Sequence, residues 1–352
     1  MAVMKLGIQP DYAGDFRQVV DEIVELESVG LDIAFVAEAY SFDAFSQLGY
    51  LAARTSTVQL GTGVVPIYTR TPSLLAMTAA GMDYVSGGRF VLGLGASGPQ
   101  VMEGFHGVPY DAPLQRTREV VDICRAVWRR EKLEYAGRKY TIPLPADRGT
   151  GLGKPLKLIN QPVRERIPIM IAALGPKNVA LAAEIAEAWE PVFFFPEHAH
   201  RVWGDALAEG KAKRDPALGE LEVVVNVQVG IGDNVAELRD RARPHLALYL
   251  GGMGAKGKNF YNQLARTYGF EREAETVQDL YLAGRKKEAE AAIPDELIDG
   301  VCLVGPRSHV AERLAAFEAA GVTTINIMAL EDTRAGRLAS TVTLRELTRR
   351  PA

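Results

Sequence analysis

Cysteine is scarce: Cys124 and Cys302 are the only two in 352 residues, and they stand far apart. That excludes a disulfide framework and a cysteine-built zinc site. It fits two buried core thiols in a reducing cytoplasm. Long apolar runs are missing as well. No stretch approaches the roughly 20 residues a membrane span needs, and the N-terminal MAVMKLGIQP lacks an apolar leader, so neither span nor secretion signal is expected. There is no basic excess either. A formal net charge of −4 argues against a nucleic-acid partner, whose phosphates call for surplus Lys and Arg. The five histidines are scattered, and His198 and His200 stand at a helix start with a spacing unsuited to shared metal binding, so no metal is expected. H-E-x-x-H, G-x-S-x-G and the Walker A loop are all absent.

What the chain does have is apolar material and alternation. Hydrophobic residues make up 47% and charged residues 24%, enough for a large core. Short apolar runs alternate with amphipathic helical stretches from end to end. Strands are read at 4–9, 32–38, 58–65, 89–96, 167–173, 189–195, 220–231 and 323–330, with a shorter apolar piece at 301–305. Helices are read at 15–29, 43–54, from Pro72, at 113–131, 177–188, 197–213 and 307–320, and at the C-terminus. Continuous apolar strands separated by helices indicate parallel β structure covered on both faces, and eight of them favour a closed (β/α)8 barrel over an open doubly wound sheet. The expectation is a single α/β domain over 1–352, with insertions at about 133–166 and 235–298, after strands four and seven.

In such a barrel the chemistry sits at the C-terminal ends of the strands. Strand two ends at Glu38, an ionisable group at the mouth that could serve as acid or base or hold a loop. Strand three runs into GTGVVPIYTRTP, where Gly61 and Gly63 either ease packing or admit a flat ring, and Tyr68 follows. Strand four ends in GLGASG, with Ala96, Ser97 and Gly98 leaving room for a ring system and Ser97 offering a hydroxyl. The glycines imitate a dinucleotide fingerprint, but no βαβ unit of the right length or ribose-binding acid follows. His106 lies farther along that loop. After strand five, Ala172, Ala173, Leu174, Gly175 and Pro176 open a helix whose free N–H groups could hold a phosphate, with Lys177 nearby.

At these residues the sequence resembles the luciferase-like flavin and deazaflavin oxidoreductases, in their F420-dependent branch. The resembling stretches are LGTGVVPIYTRTPSLLAMTAAGMDYVSGGRFVLGLGASGPQVMEGFHG, PLQRTREVV, IPIMIAALGPKN and GGMGAKGKNFYNQLARTYG, spread over nearly the whole chain. The resemblance implies a TIM barrel with a bulge after strand three and a non-prolyl cis peptide at Gly63–Val64 behind the ring. It also implies ring or tail contacts from Glu38, Ala96, Ser97 and Gly98, a phosphate near Ala172–Pro176, and a phosphate-side arginine at Arg116 or Arg118. Two departures stand out. Sugar-phosphate dehydrogenase relatives carry a histidine and a glutamate where this chain has Ala39 and Gly98, so that substrate class is not carried over. Glu187-Ala188 also replaces the frequent Asp-Gly.

The expected function is hydride transfer between coenzyme F420 and a small-molecule alcohol, carbonyl or activated alkene, with Glu38, Tyr68 and His106 as candidate proton donors. Two alternatives are an FMN-dependent monooxygenase on the same barrel and a non-catalytic cofactor-binding protein. The aromatic-rich 235–298 segment is expected to cap the mouth and to help pair subunits in a homodimer.

Overall fold

A computed structural model describes residues 3–10 and 14–349; the rest of the expected 1–352 span lies outside the described residues. Eight strands form the barrel: β1 (Lys5–Ile8), β2 (Ile33–Val36), β3 (Gln59–Thr62), β4 (Phe90–Gly95), β5 (Ile169–Ala172), β6 (Ala188–Glu190), β7 (Glu222–Ile231) and β8 (Thr324–Ala329). Each pairs in parallel with the next, and β8 returns to β1, with Lys5 opposite Thr324 and Ile8 opposite Ile327. Closure removes every free edge.

The sequence supports this locally. Helices start where a side chain or proline suits the first turn: Asp43 accepts from the N–H groups of Phe45 and Ser46, and Thr71 from Leu74. Proline stands in the first turn of Pro72–Val85, Pro113–Trp128, Pro176–Ile185 and Pro196–Lys211. β2 and β4 are buried at every position, because their outward residues meet helices and their inward ones fill the barrel. Ile33, Phe35, Val91, Met170, Ala188 and Val224 form that inner plug. At the N-terminal rim Lys5 reaches Glu222 at 2.8 Å and ties β1 to β7.

Three elements differ from the sequence reading. β3 stops at Thr62 rather than continuing to 65, and Val65–Pro66 pairs separately with Leu94 and Gly95 of β4, so a bulge intervenes. β6 ends at Glu190, not at 195. Pro191 has no N–H to offer a ladder, and Phe193 adopts φ 50°, outside strand geometry. The helix expected over 113–131 ends at Trp128. The first insertion begins after that helix and doubles back along it. The Glu119 carboxylate accepts from the N–H groups of Arg138, Lys139 and Tyr140, clasping the small hairpin of Tyr135–Ala136 and Thr141–Ile142.

The second insertion is helical as expected, with helices Val235–Ala247, Phe260–Thr267, Glu271–Leu282, Lys286–Ala291 and Asp295–Val301. It packs over the mouth beside β6, where the Tyr268 hydroxyl donates to the Phe193 carbonyl at 2.8 Å. Leu303–Gly305 then lines up beside the outer end of β7. Among the described residues no helix is long and apolar enough to cross a membrane.

Candidate active site

The bulge after β3 dominates the mouth. The Gly63–Val64 peptide is cis. Gly63 N–H donates to Val36 O at 2.8 Å, and Val64 O accepts from Glu38 N–H at 3.2 Å, which laces the bulge to the end of β2. On the other side Ile67 N–H reaches Gly95 O at 3.0 Å.

The glycines around the bulge resolve into two kinds. A Cβ on Gly61 or Gly63 would stand 2.6 or 2.8 Å from Phe35, one on Gly93 1.9 Å from Thr62 O, and one on Gly95 2.7 Å from the Val64 side chain. These four let the bulge lie flat against β2 and β4, so packing explains them. Gly98 and Gly175 have nothing within 4 Å of such a Cβ and border open space. Each precedes a helix without a side-chain cap. At Gly175 the N–H groups of the ten-residue helix Pro176–Ile185 are therefore left for a ligand. The carbonyls of the same loop are already engaged, Ala173 O by Trp189 Nε1 at 2.9 Å and Leu174 O by Trp203 Nε1 at 3.1 Å. A phosphate-bearing cofactor fits that donor set. Ser97, exposed at φ 56°, turns the chain between Ala96 and Gly98, and its carbonyl accepts from Tyr110 at 3.3 Å.

The expected proton donors are placed as follows. Glu38 accepts from both Arg70 guanidinium nitrogens, at 2.7 and 2.9 Å, and from Ala44 N–H at 3.0 Å. Arg70 also reaches Asp43 at 2.9 Å and lies 4.8 Å from the Phe45 ring centre. Glu38 thus fixes the loop after β2. The Tyr68 hydroxyl donates to Asp111 O at 3.0 Å, and burial, with Tyr110 beside it, raises its pKa well above the phenol range. His106 sits edge-on to Phe105, and its buried Nε2 has no hydrogen-bond partner among the described residues. Glu38 and Tyr68 stand at the bulge, whereas His106 follows the short helix Pro99–Gly104. Both candidate arginines are paired, Arg116 with Asp111 at 2.6 Å and Arg118 with Glu184 at 2.7 Å. A cavity of about 330 Å³ opens beside the ends of β1 and β2, lined by Pro10, Val36, Ala37, Tyr40, Phe42 and Gln47. A groove of about 550 Å³ between helices Pro196–Lys211 and Arg307–Ala319 lies outside the barrel and away from these groups.

The inward face of the mouth holds groups the sequence reading passed over. Asn226 Nδ2 donates to Glu190 Oε1 at 2.8 Å, Asn326 Nδ2 donates to Asn226 Oδ1 at 2.5 Å, and Gln9 Oε1 lies 3.5 Å from Asn326 Nδ2. Glu190 is only 4% exposed, and burial lifts its carboxyl to about 7, with the Asn226 hydrogen bond opposing the rise. Phe193, His245, Tyr249 and Tyr261 form a cluster of rings beside it, edge-on to one another except for the tilted pair His245–Tyr249. Burial lowers His245 to about 4 and raises Tyr261 to about 12, the latter helped by Tyr249 and Glu190. The signal that could have exposed Glu190 was Pro191, which ends the strand. Among the described residues no three His, Cys, Asp or Glu side chains gather as a metal site.

The sequence matches the family described as luciferase-like monooxygenase over residues 1–324. The chain belongs to that family. A relative in Mycobacterium tuberculosis, named as a coenzyme F420-dependent oxidoreductase, is 44% identical over 93% of this chain and 96% of its own. The 5,10-methylenetetrahydromethanopterin reductase of Archaeoglobus fulgidus is 28% identical over 92% of each chain. Among solved structures, the coenzyme F420-dependent tetrahydromethanopterin reductase of Methanopyrus kandleri superposes with a TM-score of 0.79. It covers 97% of this luciferase-like chain and 98% of its own at 20% identity, which supports the barrel itself.

Proposed function

We propose that this protein is an F420-dependent oxidoreductase acting on a small-molecule alcohol, carbonyl or activated alkene. The observation that carries the reading is the 44% identity, across nearly the whole of both chains, to a relative named for that coenzyme. The geometry supports it through the bulge at Gly63–Val64, the small-residue turn Ala96–Gly98 and the uncapped helix start after Ala172–Pro176. When bound, the deazaflavin supplies a two-electron hydride donor or acceptor. Gly63, Val64, Ala96, Ser97 and Gly98 would hold the ring, and Gly175 with the following N–H groups the phosphate. Glu38, locked by Arg70, keeps the loop after β2 in place for the ring edge. His106 alone of the three expected donors has an unpartnered buried nitrogen.

The chain is proposed to act as one domain and as a homodimer, with the 235–298 segment helping to pair subunits; Leu74, Met77, Tyr84 and Val85 of one helix are a further exposed apolar face. Two buried free thiols fit a reducing cytoplasm. The experiment is a parallel titration of the purified protein with F420 and with FMN, followed by cofactor and tryptophan fluorescence. Saturable F420 binding without comparable FMN binding supports the reading. The reverse preference favours the monooxygenase alternative, and binding of neither overturns both. Tight F420 binding without turnover across a broad panel of alcohols, carbonyls and alkenes would leave a binding protein.

A further inference from the structure

We infer that Glu190 is the proton-exchanging group of this site and that it directs the site toward a neutral carbonyl compound or the matching alcohol. The inference rests on the F420 reading for its hydride, but its geometry stands on residues of the chain alone.

Glu190 ends β6 level with Ala172 on β5, in the inward-facing layer that also holds Asn226 and Asn326, themselves in register across β7 and β8. The row continues to Gln9, whose Oε1 lies 3.6 Å from where a Cβ of Gly63 would stand. A line of side-chain amides thus runs across the mouth from the cis bulge to the carboxyl. Its polarity is set: Asn226 gives its N–H to Glu190 Oε1 and receives one from Asn326 on its own oxygen. That fixes the carboxyl plane and leaves Oε2 with no hydrogen-bond partner among the described residues. The Asn326 Oδ1 acceptor is buried against Gly7 with no hydrogen-bond partner among the described residues.

Among the described residues no lysine or arginine is bonded to Glu190. The groups facing it are the Asn226 amide from β7 and, from the second insertion, the Tyr249 and Tyr261 hydroxyls, whose proton affinities its charge raises. His245, 4.6 Å from the Tyr249 ring, is held neutral by burial. Two guanidinium groups that touch the bulge loop or its partners are committed, Arg70 to Glu38 and Asp43, and Arg116, over the Tyr68 ring, to Asp111. An anionic substrate would therefore meet a carboxyl and, at the bulge, guanidinium groups already engaged. A neutral one would meet an acid proton, amides and ring faces. Phe193 supplies one wall, held in its positive-φ conformation by Tyr268, with Tyr249 and Tyr261 at 5.4 and 6.1 Å.

The step assigned to Glu190 is proton transfer only. In the reducing direction its O–H bond breaks as an O–H bond forms on the substrate oxygen, and the carboxylate left behind is reprotonated from water. The electron pair arrives with the hydride at the carbonyl carbon. In the oxidising direction the carboxylate takes the alcohol proton, and the carbinol carbon would give its hydride to the oxidised deazaflavin. A carboxyl that changes state near neutral pH suits both directions.

The test uses infrared difference spectra of the full chain across a pH titration, comparing wild type with Glu190→Gln. The probes are acetophenone as a neutral carbonyl and phenylglyoxylate as its anionic counterpart. The expected result is a protonated-carboxyl band that disappears as pH rises through about 7, is absent from the variant, and shifts when acetophenone but not phenylglyoxylate is added. Asn226→Leu, which removes the carboxyl's one hydrogen bond, is expected to move the midpoint upward, and it keeps the assignment testable if the first variant folds poorly. F420 affinity of Glu190→Gln should stay within about twofold of wild type while turnover falls about 10²–10⁴-fold. A Glu190 that stays ionised through the titration, or a band indifferent to acetophenone, overturns the inference. Failure of wild type to bind F420 with the infrared result intact overturns the cofactor reading and leaves the Glu190 assignment standing.

Discussion

Replacing Gly93 by alanine would separate glycines that serve the backbone from glycines that border a ligand. An added Cβ would lie 1.9 Å from the Thr62 carbonyl oxygen, far inside the 3.4–4 Å of ordinary contact, so β3 and β4 must part by more than an ångström. The strands are clasped at that point. Thr62 Oγ1 donates to Gly93 O and accepts from Gly93 N–H, both at 2.7 Å and both buried. Losing two buried hydrogen bonds at about 1–3 kcal/mol each gives about 2–6 kcal/mol. With an unfolding entropy of about 2.1 cal/mol/K per residue, a chain of 352 residues loses about 3–8 °C of Tm. Gly98→Ala and Gly175→Ala meet open space and should cost about 1 kcal/mol or less. Their effect should appear in cofactor affinity instead. Thermal melts with and without F420 read both quantities. A Gly93→Ala protein melting with wild type, or a Gly98→Ala protein losing as much as it, would refute the division.

Arg70→Leu strands the buried Glu38 carboxylate and is expected to cost about 3–5 kcal/mol, with Glu38→Gln partly restoring stability in the double variant; denaturant melts of the four proteins check this. Because the folded Glu190 carboxyl titrates near 7 against an ordinary 4.5, the native state holds its proton longer than the unfolded chain. Its contribution is therefore present below about 4.5 and lost as pH rises through about 7, a change of about 3 kcal/mol that Glu190→Gln should erase from a stability–pH curve. His245 acts oppositely. Depressed to about 4 from 6.5, it contributes stability above 6.5 that is lost as pH falls through about 4, and His245→Phe should flatten that limb. Cys124, buried and pushed up to about 12, should ignore thiol reagents until the protein unfolds, as a reagent titration with and without denaturant would reveal.

The barrel was legible because parallel strands buried on both faces write themselves as continuous apolar runs, and because prolines and capping residues punctuate the helices. The bulge at Gly63–Val64 was legible only through family resemblance, since no local spacing distinguishes a glycine that admits a ring from one that admits Phe35. Gly61 and Gly63 turned out to sit against that phenylalanine. Glu190 escaped notice because Trp189–Phe195 reads as one apolar strand, and a carboxylate inside such a run looks like an interior exception rather than a strand end. Its partner Asn226 and Asn326, which bonds Asn226 in turn, are 100 residues apart, a juxtaposition that barrel closure alone creates. The roles of Glu38 and Tyr68 were open in the sequence, because their partners Arg70 and Asp111 lie on other loops.

Of the three tryptophans, two have indole N–H groups bonded to carbonyls of the turn that precedes helix Pro176–Ile185, while Trp128 is bonded to Ala76 elsewhere. The chain therefore carries its own optical gauge of that turn. Any anion settling on the neighbouring amides tugs on the hydrogen bonds that set the colour and lifetime of Trp189 and Trp203 emission. Occupancy can then be followed in unlabelled protein, with Trp128 as an internal standard that the event does not reach.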